Sequence, residues 1–309
     1  MATETRPVRI DIGICTYRRP ELEETLRSLF ALAVPADARV RLIVADNDAE
    51  PSAGELVDGL RRYSPFPISY VHCPKSNISI ARNACLSECD ADYLAFIDDD
   101  ETAEPQWLVG LFSMMMQTGA DAVLGPVRAV YENDSARWMR KGDFHSTRPV
   151  WVGGRIRTGY TCNVLLDMRS PVVAGRRFAL GLGQSGGEDT HFFSAVTDVG
   201  GRIEFAPDAL VEERVPEKRA SFAWLARRRF RSGQTHGRIL AARNSGPRRL
   251  LQTGLAALKF GYCLAFSGAT AFAPITRNRY ALRAALHAGA VSGTLGVREI
   301  RQYGAAEAT

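Results

Sequence analysis

Acidic residues are absent from almost the whole last third of this chain. Residues 218–298 contain 15 Lys and Arg and no Asp or Glu, whereas residues 1–217 contain 23 Lys and Arg against 32 acids, so the local charges are +15 and −9 within a total of +5. A basic segment without acids predicts a polyanionic partner, such as an anionic membrane surface or a phosphate-bearing substrate. Nucleic acid is the poorest candidate, because aromatic and basic residues do not interleave on a recognisable nucleic-acid-binding module.

Paired cysteines, a signal segment and a long apolar run are also lacking. The six cysteines have no metal-binding spacing and the N-terminus has no signal core, which predicts a reduced, cytoplasmic protein. The apolar stretch from Leu250 to Ile275 is interrupted by Lys259, and only 17 residues separate Lys259 from Arg277, which is short for a membrane span. We expect this stretch to form an in-plane amphipathic helix or a buried helical pair. We expect the protein to be located peripherally on the inner membrane.

Strand-like and helix-like segments alternate through the first third of the chain. Apolar patterns predict strands at 8–14, 40–45, 68–71 and 92–97, and helices at 22–33, 55–63 and 78–86, the last capped at Ser76-Asn77. This order predicts an α/β fold with a doubly wound, mostly parallel sheet flanked by helices. Later segments predict a helix over 105–117 stopped by Gly119, and strands over 123–130 and 164–166.

Four carboxylates, from Asp98 to Glu101, directly follow the strand at 92–97. Acids at the carboxyl end of a buried strand lie at the edge where α/β sheets bind ligands. Asp98 and Asp100 offer hard oxygen ligands to Mg²⁺ or Mn²⁺, with a diphosphate as the third party. An acidic loop that only interacts with the following helix dipole is the alternative.

Two other strand ends carry polar side chains of complementary kinds. Thr16, Tyr17 and Arg18 follow the first strand, and the acids Asp46 and Asp48 follow the second. On one sheet edge, an aromatic ring can stack on a base, an acid can accept hydrogen bonds from base or ribose, and a cation can meet phosphate. With the acidic run, these positions predict a nucleotide site, although each alone is common in turns.

A glycine-rich loop at 181–187 leads to Glu188 and Asp189 at a helix start. The loop lacks the Lys-Ser/Thr ending of a phosphate-binding loop. The two acids either cap the helix or serve a site.

Several arginines are candidates for contact with phosphate. Arg82 lies near the start of the helix at 78–86, and Arg228, Arg229 and Arg231 lie in a helix expected from Phe222. Such arginines can neutralise a leaving diphosphate or face lipid headgroups. A solvated basic helix face is the alternative.

Five motifs, in this order, resemble those of the family 2 glycosyltransferases of the GT-A fold. They are Thr-Tyr-Arg-Arg-Pro at 16–20, Ala-Asp-Asn-Asp-Ala-Glu at 45–50, Asn-Ile-Ser-Ile-Ala-Arg-Asn at 77–83, Asp-Asp-Asp-Glu at 98–101 and Gly-Gly-Glu-Asp-Thr at 186–190. Within that family, the chain is most similar to β-1,4-glucosyltransferases of exopolysaccharide assembly, and this likeness extends to Tyr-Gly-Ala-Ala-Glu at 303–307.

The resemblance implies roles on the donor side of the site. Tyr17 and Asp46 would hold the uracil and ribose, and Asn47 stands where many relatives have a second Asp. Arg82 would reach the nucleotide. The remaining positions expected around the donor are Thr16, Arg18, Asp98 and Asp99.

The resemblance also implies the catalytic groups. Asp100 would bind the Mg²⁺ or Mn²⁺ directly, and Asp98 would contact the ribose or the metal. Asp189 would be the catalytic base, with Glu188 as the less favoured choice. Arg228, Arg229 and Arg231 would face the diphosphate.

The implied reaction is inverting transfer of glucose from UDP-glucose to a polyprenyl-diphosphate-linked oligosaccharide. The lipid anchor of this acceptor would account for the basic, apolar C-terminal third, and other exopolysaccharide assembly proteins are possible partners. We expect a nucleotide-binding half over 1–101, an acceptor-binding and catalytic half of the same domain over 102–217, and a basic helical extension over 218–309 at the membrane surface.

Two other function classes fit parts of the sequence. Asp98, Asp100 and Thr102 match an Asp-x-Asp-x-Thr phosphohydrolase pattern, but that nucleophile usually follows the first strand, whereas three strand ends precede Asp98. A non-catalytic sugar-nucleotide sensor or membrane scaffold would have no need for carboxylates at both sites.

Overall fold

The computed structural model describes residues 6–132 and 135–298. The strands are β1 Val8–Thr16, β2 Ala38–Asp46, β3 Ile68–His72, β4 Tyr93–Asp98, β5 Glu101–Ala103, β6 Ala122–Leu124, β7 Val127–Tyr131, β8 Trp151–Val152, β9 Arg155–Ile156, β10 Asn163–Asp167, β11 Ile203–Phe205 and β12 Val211–Val215. The α-helices are α1 Leu22–Phe30, α2 Gly54–Arg61, α3 Ile78–Glu88, α4 Trp107–Thr118, α5 Arg137–Gly142, α6 Glu188–Asp198, α7 Phe222–Arg243, α8 Gly246–Ala269 and α9 Pro274–Thr294. The motif at 303–307 and the end of the predicted C-terminal extension lie outside the described residues.

Seven strands form the central sheet in the order β11-β6-β10-β4-β1-β2-β3. Its strands are parallel to their neighbours except β10, which is antiparallel to β4 and β6. Apolar residues of α1, α2 and α4 cover one face, and those of α3 and α6 cover the other. The predicted α/β fold with a mostly parallel sheet flanked by helices is confirmed.

The strand register places the predicted polar strand ends at one edge. Thr16 at the end of β1 is level with Asp46 of β2, and Cys15 is level with Asp98 of β4. Two predicted helix ends are also present: Asn77 caps α3 by accepting a hydrogen bond from the Ser79 backbone N–H (3.0 Å), and Gly119 ends α4 with a φ of 60°.

The strand predicted over 123–130 is wrong, because this segment forms two strands in two sheets. β6 belongs to the central sheet, whereas β7 pairs with β12, which also pairs with β5 in a three-stranded sheet. Gly125 and Pro126 separate the two strands. A Cβ on Gly125 would lie 2.3 Å from the Ala209 carbonyl oxygen and 2.4 Å from Asn163 Nδ2, so the chain can change sheets here only with glycine. The Gly-Pro pair signals a break in the strand, but the sequence does not reveal which sheet each half joins.

Helices α7, α8 and α9 form the C-terminal extension. Gly233 and Gly237 of α7 face Gly289 and Gly293 of α9, and a Cβ on any of them would lie between 1.9 and 2.2 Å from a carbonyl oxygen of the other helix. The paired Gly-x-x-x-Gly spacing therefore permits backbone contact between these helices. We call this contact the glycine seam.

The stretch from Leu250 to Ile275 is divided between α8 and α9 by a turn at 270–273. Only Ala256 and Cys263 of α8 are buried, so the predicted buried pair is wrong for this helix, and the in-plane amphipathic alternative stays a prediction. Among the described residues, no helix combines the length and the apolar character of a membrane span.

Candidate functional site

The acidic run forms a tight turn between β4 and β5 at the carboxyl edge of the central sheet. Asp99 Oδ2 accepts a hydrogen bond from the Tyr17 backbone N–H (3.3 Å), and Glu101 Oε2 accepts one from the Asp98 backbone N–H (3.1 Å). Asp100 Oδ2 lies 3.6 Å from an Arg19 nitrogen and 3.5 Å from an Arg219 nitrogen. Part of the acidic run therefore stabilises the turn itself.

The surroundings of these acids disfavour their charged, deprotonated forms. Burial, followed by repulsion from Asp100, raises the pKa of Asp98 to about 6 and that of Asp99 to about 7. The Asp98 side chain is 42% exposed to solvent, but the protein around it still disfavours its charge. Burial also raises the pKa of Glu101, and that of Glu213, which β12 places opposite Glu101. Such a cluster favours a bound cation.

The donor atoms of this turn suit a divalent cation. Oxygens of Asp98 and Glu101 and the sulfur of Cys162 lie within 4.8 Å of one another. Burial raises the pKa of the Cys162 thiol well above its usual value, so this group is a protonated, soft ligand that suits Mg²⁺ or Mn²⁺ less than the carboxylates do. Asp100, expected from sequence as a direct ligand, lies beside the same turn and near Arg19 and Arg219, and its role as a ligand stays a prediction. Sequence reasoning missed Glu101 as a candidate oxygen ligand.

The residues predicted to hold the base and ribose line the ends of β1 and β2. Asp46 is fully buried, and its carboxylate accepts hydrogen bonds from the Asp48 and Ala53 backbone N–H groups (3.0 and 2.8 Å) and from the Tyr70 hydroxyl (2.7 Å). Asn47 Oδ1 accepts a hydrogen bond from the Asn77 backbone N–H (3.1 Å). Both side chains hold the surrounding loops in place.

The β1 loop presents one exposed aromatic ring. Tyr17 is 42% exposed, and the Arg18 guanidinium lies 5.5 Å from its ring centroid. Arg18 also donates a hydrogen bond to Asp48 Oδ2 (2.8 Å), which holds the pKa of Asp48 below its usual value. The Thr16 hydroxyl lies beside Asp99 and offsets part of the rise in the pKa of that acid. This loop leaves Tyr17 available for stacking.

Arg82 connects the two acidic motifs. Its buried guanidinium pairs with Glu188 Oε1 and lies 3.9 Å from Asp98 Oδ1, with the Phe178 ring centroid 5.7 Å away. Burial disfavours its charge, but attraction by Glu188, Asp98 and Asp189 raises the pKa of Arg82 overall. The structure thus brings together the acidic turn and the glycine-rich loop, which are about 90 residues apart in the chain.

Asp189 has the environment of a group that can take up a proton near neutral pH. Burial and the neighbouring Glu188 charge raise its pKa to about 6, and Arg82 and the hydrogen bonds from Thr190 offset only part of this effect. Asp189 Oδ1 accepts a hydrogen bond from the Thr190 backbone N–H (2.6 Å). Glu188 is 3% exposed and paired with Arg82, so Asp189 is the better placed of the two to meet a substrate.

Polar residues of α3 hold the segment that precedes the glycine-rich loop. Asn77 Nδ2 donates a hydrogen bond to the Leu180 carbonyl (3.0 Å), and the Ser79 hydroxyl donates one to the Ala179 carbonyl (2.9 Å). Asn83 exchanges two hydrogen bonds with the backbone of Phe178 (2.8 and 2.9 Å). The motif at 77–83 therefore holds residues 178–180 in place, a role that its cap pattern did not predict.

The arginines predicted to face a diphosphate diverge in the structure. Arg228 lies 5.4 Å from the Trp224 ring centroid, and its charge offsets part of the rise that burial causes in the pKa of Glu213. Burial and the charges of Arg228 and Arg283 lower the pKa of Arg229, which places it toward α9. Arg231 is half-buried on the same helix.

Arg219 is a basic residue at the site that sequence reasoning missed. It lies between β12 and α7, donates a hydrogen bond to Glu213 Oε1 (2.7 Å) and approaches Asp100. The only sequence signal was its position at the start of the acid-free segment. Arg219 and Asp100 lie far apart in the sequence, so their contact depends on the tertiary fold.

Residues 11–180 match the sequence pattern of Glycosyl transferase family 2. The chain belongs to glycosyltransferase family 2. It is 60% identical over 309 residues to the succinoglycan biosynthesis protein ExoM of Rhizobium meliloti, covering 100% of this chain and 99% of that protein. It is also 22% identical over 246 residues to a glucosyl-dolichyl phosphate glucuronosyltransferase of Haloferax volcanii, covering 73% of this chain and 75% of that protein.

Solved structures show the same fold as this glycosyltransferase. The mannosyltransferase PcManGT from Pyrobaculum calidifontis, in complex with GDP-Man and Mn²⁺, superposes with a TM-score of 0.63 at 18% identity, covering 94% of this chain and 88% of that one. TarS residues 1–349 of S. aureus superpose with a TM-score of 0.53 at 15% identity, covering 89% and 90% of the two chains. The GT-A fold is therefore shown, and glycosyl transfer displaces the phosphohydrolase and scaffold alternatives.

Proposed function

We propose that this family 2 glycosyltransferase moves glucose from UDP-glucose, with inversion, onto a polyprenyl-diphosphate-linked oligosaccharide in succinoglycan-type exopolysaccharide synthesis. The observation that carries this proposal is Arg82, which contacts Asp98 on the donor side and Glu188 beside Asp189. The name of the relative at 60% identity supports the pathway. The linkage is proposed to be β-1,4.

Asp189 acts as the base in this proposal. A carboxylate with a pKa of about 6 is charged at neutral pH, but accepts a proton more readily than an ordinary Asp does. It removes the proton of the acceptor hydroxyl while that oxygen attacks the anomeric carbon from the face opposite the diphosphate. Glu188 fixes Arg82, and the α3 hydrogen bonds hold the segment that precedes the glycine-rich loop and Asp189.

The diphosphate binds at the acidic turn. Asp98 and Asp100 would hold Mg²⁺ or Mn²⁺, with Glu101 as an additional oxygen ligand, and the ion when bound neutralises charge on the leaving UDP. Arg219 and Arg228 supply positive charge on the same side. Tyr17 stacks on the uracil, Asp46 and Asn47 shape its pocket, and the division of the domain near residue 101 separates donor-binding from acceptor-binding elements.

Donor hydrolysis by the purified protein tests the donor assignment without a lipid acceptor. UDP-glucose, UDP-galactose, UDP-glucuronate, dTDP-glucose and GDP-mannose are compared in the presence of Mg²⁺ or Mn²⁺. We expect UDP-glucose to be cleaved fastest. A clear preference for a GDP- or dTDP-sugar would overturn the proposal.

The proposed acceptor requires the enzyme to work at a membrane. We propose a peripheral location on the inner face of the cytoplasmic membrane, supported by the charge of residues 218–298. Transfer to a lipid-linked acceptor presented in vesicles, compared with transfer to a water-soluble analogue, measures this dependence.

A further inference from the structure

Helix α8 exposes an apolar stripe, of which the rings of Tyr262 and Phe266 also contact Tyr280 of α9. Leu251, Leu255, Leu258, Tyr262 and Phe266 recur at helical spacing, and all are exposed. Leu251 and Leu258 are 61% and 71% exposed, and Phe272 in the turn that follows is 88% exposed. A contiguous apolar helix face of this kind marks a contact surface.

The charge around this stripe identifies its partner. Arg248, Lys259, Arg277, Arg279 and Arg283 are exposed on α8 and α9, and the segment 218–298 contains no acid to neutralise them. Two copies of this chain that met through α8 would bring like charges together. An anionic bilayer offers both an apolar layer for the stripe and negative headgroups for the cations.

We propose that the outward face of α8, together with Phe272, lies in the headgroup region of an anionic phospholipid bilayer. This assignment rests on the proposed function for its biological purpose, since a lipid-linked acceptor must be met at such a surface. The helix lies in the membrane plane and does not cross it, in keeping with the absence of a spanning helix among the described residues.

The glycine-rich loop packs against the same group of helices as α8. The glycine seam joins α7 to α9, on which α8 packs, and Thr235 of α7 contacts the loop next to Asp189 so closely that a Cβ on Gly187 would lie 2.3 Å from its methyl carbon. The membrane-facing helix and the glycine-rich loop therefore belong to one packed unit.

Vesicle co-sedimentation of the full-length protein tests the assignment. We expect binding to vesicles of phosphatidylcholine with phosphatidylglycerol, and at least about tenfold weaker binding to phosphatidylcholine alone, because each cation near an anionic surface strengthens binding several-fold. Replacing Leu251→Ser together with Leu258→Ser should weaken binding to the anionic vesicles at least about tenfold. Replacing Lys259→Glu together with Arg248→Glu should weaken binding by a similar factor. The control Val199→Ser changes a 59% exposed residue within the net-negative segment 1–217 and should have no effect.

The outcomes separate this assignment from the proposed function. Equal vesicle binding by the wild type and both double variants would overturn the α8 assignment, as would wild-type failure to bind anionic vesicles. Self-association that the leucine variant abolishes would also overturn it, because the stripe would then be a dimer contact. UDP-glucose hydrolysis in solution should persist in the α8 variants, whereas its absence in the wild type would count against the proposed function alone.

Discussion

At the scale of single residues, Asp189 carries the proposed proton transfer. Asp189→Asn should reduce transfer about a thousandfold or more while leaving UDP affinity within about twofold, because it removes the base and preserves the shape of the side chain. Single-turnover transfer and UDP titration measure the two quantities. Retention of most activity would contradict the assignment, and a larger loss in Glu188→Gln would transfer the role to Glu188.

The pH dependence of transfer follows from the same residue. The pKa of Asp189 is raised to about 6, so the active carboxylate form is lost as the pH falls through about 6. We expect kcat/KM to fall about tenfold for each pH unit below that value. A profile that stays flat down to the ordinary pKa range of Asp would contradict the environment described for this carboxyl group.

Arg219 is expected to act at the diphosphate. Arg219→Gln should lower kcat/KM about ten- to a hundredfold and shift the Mn²⁺ concentration required for activity, because Arg219 contacts both Asp100 and Glu213. The matched control is Arg214→Gln, which removes an arginine whose side chain is 76% exposed and pairs only with surface Glu24 among the described contacts. Equal kinetics in both variants would remove Arg219 from the site.

At the scale of elements, the glycine seam holds the C-terminal helices against one another. Gly237→Ala should destabilise the protein by about 1–3 kcal/mol, because its Cβ would lie 2.2 Å from the Ala290 carbonyl oxygen and the backbones must separate. Gly261→Ala in α8 should instead stabilise it by about 0.5–1 kcal/mol, since nothing lies within 4 Å of that Cβ and Ala favours helix. Denaturant unfolding followed by circular dichroism measures the free energy of unfolding of both variants. If both substitutions changed it in the same direction, the close contact proposed for the glycine seam would be contradicted.

At the scale of the whole molecule, the acidic turn makes stability depend on pH. The pKa values of Asp98 and Asp99 are raised to about 6 and about 7, above the unfolded value of 3.8. The folded chain therefore binds more protons, and the stability contributed by these groups is present below about pH 4 and is lost as the pH rises through about 6 to 7.

A divalent cation should offset this loss. With chelator, we expect Tm to fall between about pH 5 and about pH 8, and Mn²⁺ should raise Tm more at the higher pH, where the carboxylates are charged. The double variant Asp98→Asn with Asp99→Asn should show a weaker dependence on both pH and Mn²⁺. An Mn²⁺ effect of the same size at both pH values would contradict a carboxylate site.

Local sequence determined the first four strands, the Asn77 cap, the helix stop at Gly119, the acidic run and the acid-free third. Each of these depends on residue type and short spacing: alternation, a cap two residues from its donor, or a count of charges. The ordered motifs were also enough to indicate the family, because they preserve residue types in a fixed order. The strand register then placed the three motifs at the ends of β1, β2 and β4 at one sheet edge, as parallel strands require.

Only the tertiary structure decided which polar groups meet. Arg82 and Glu188 are 106 residues apart, and the hydrogen bonds from Asn83 to Phe178 span 95 residues, so no local pattern predicts either contact. The same reason explains why the change of sheet at Gly125, the approach of Arg219 to Asp100 and the glycine seam were missed. In each case the residue type is required by a contact with a residue that is distant in the sequence, and only the folded chain brings the two together.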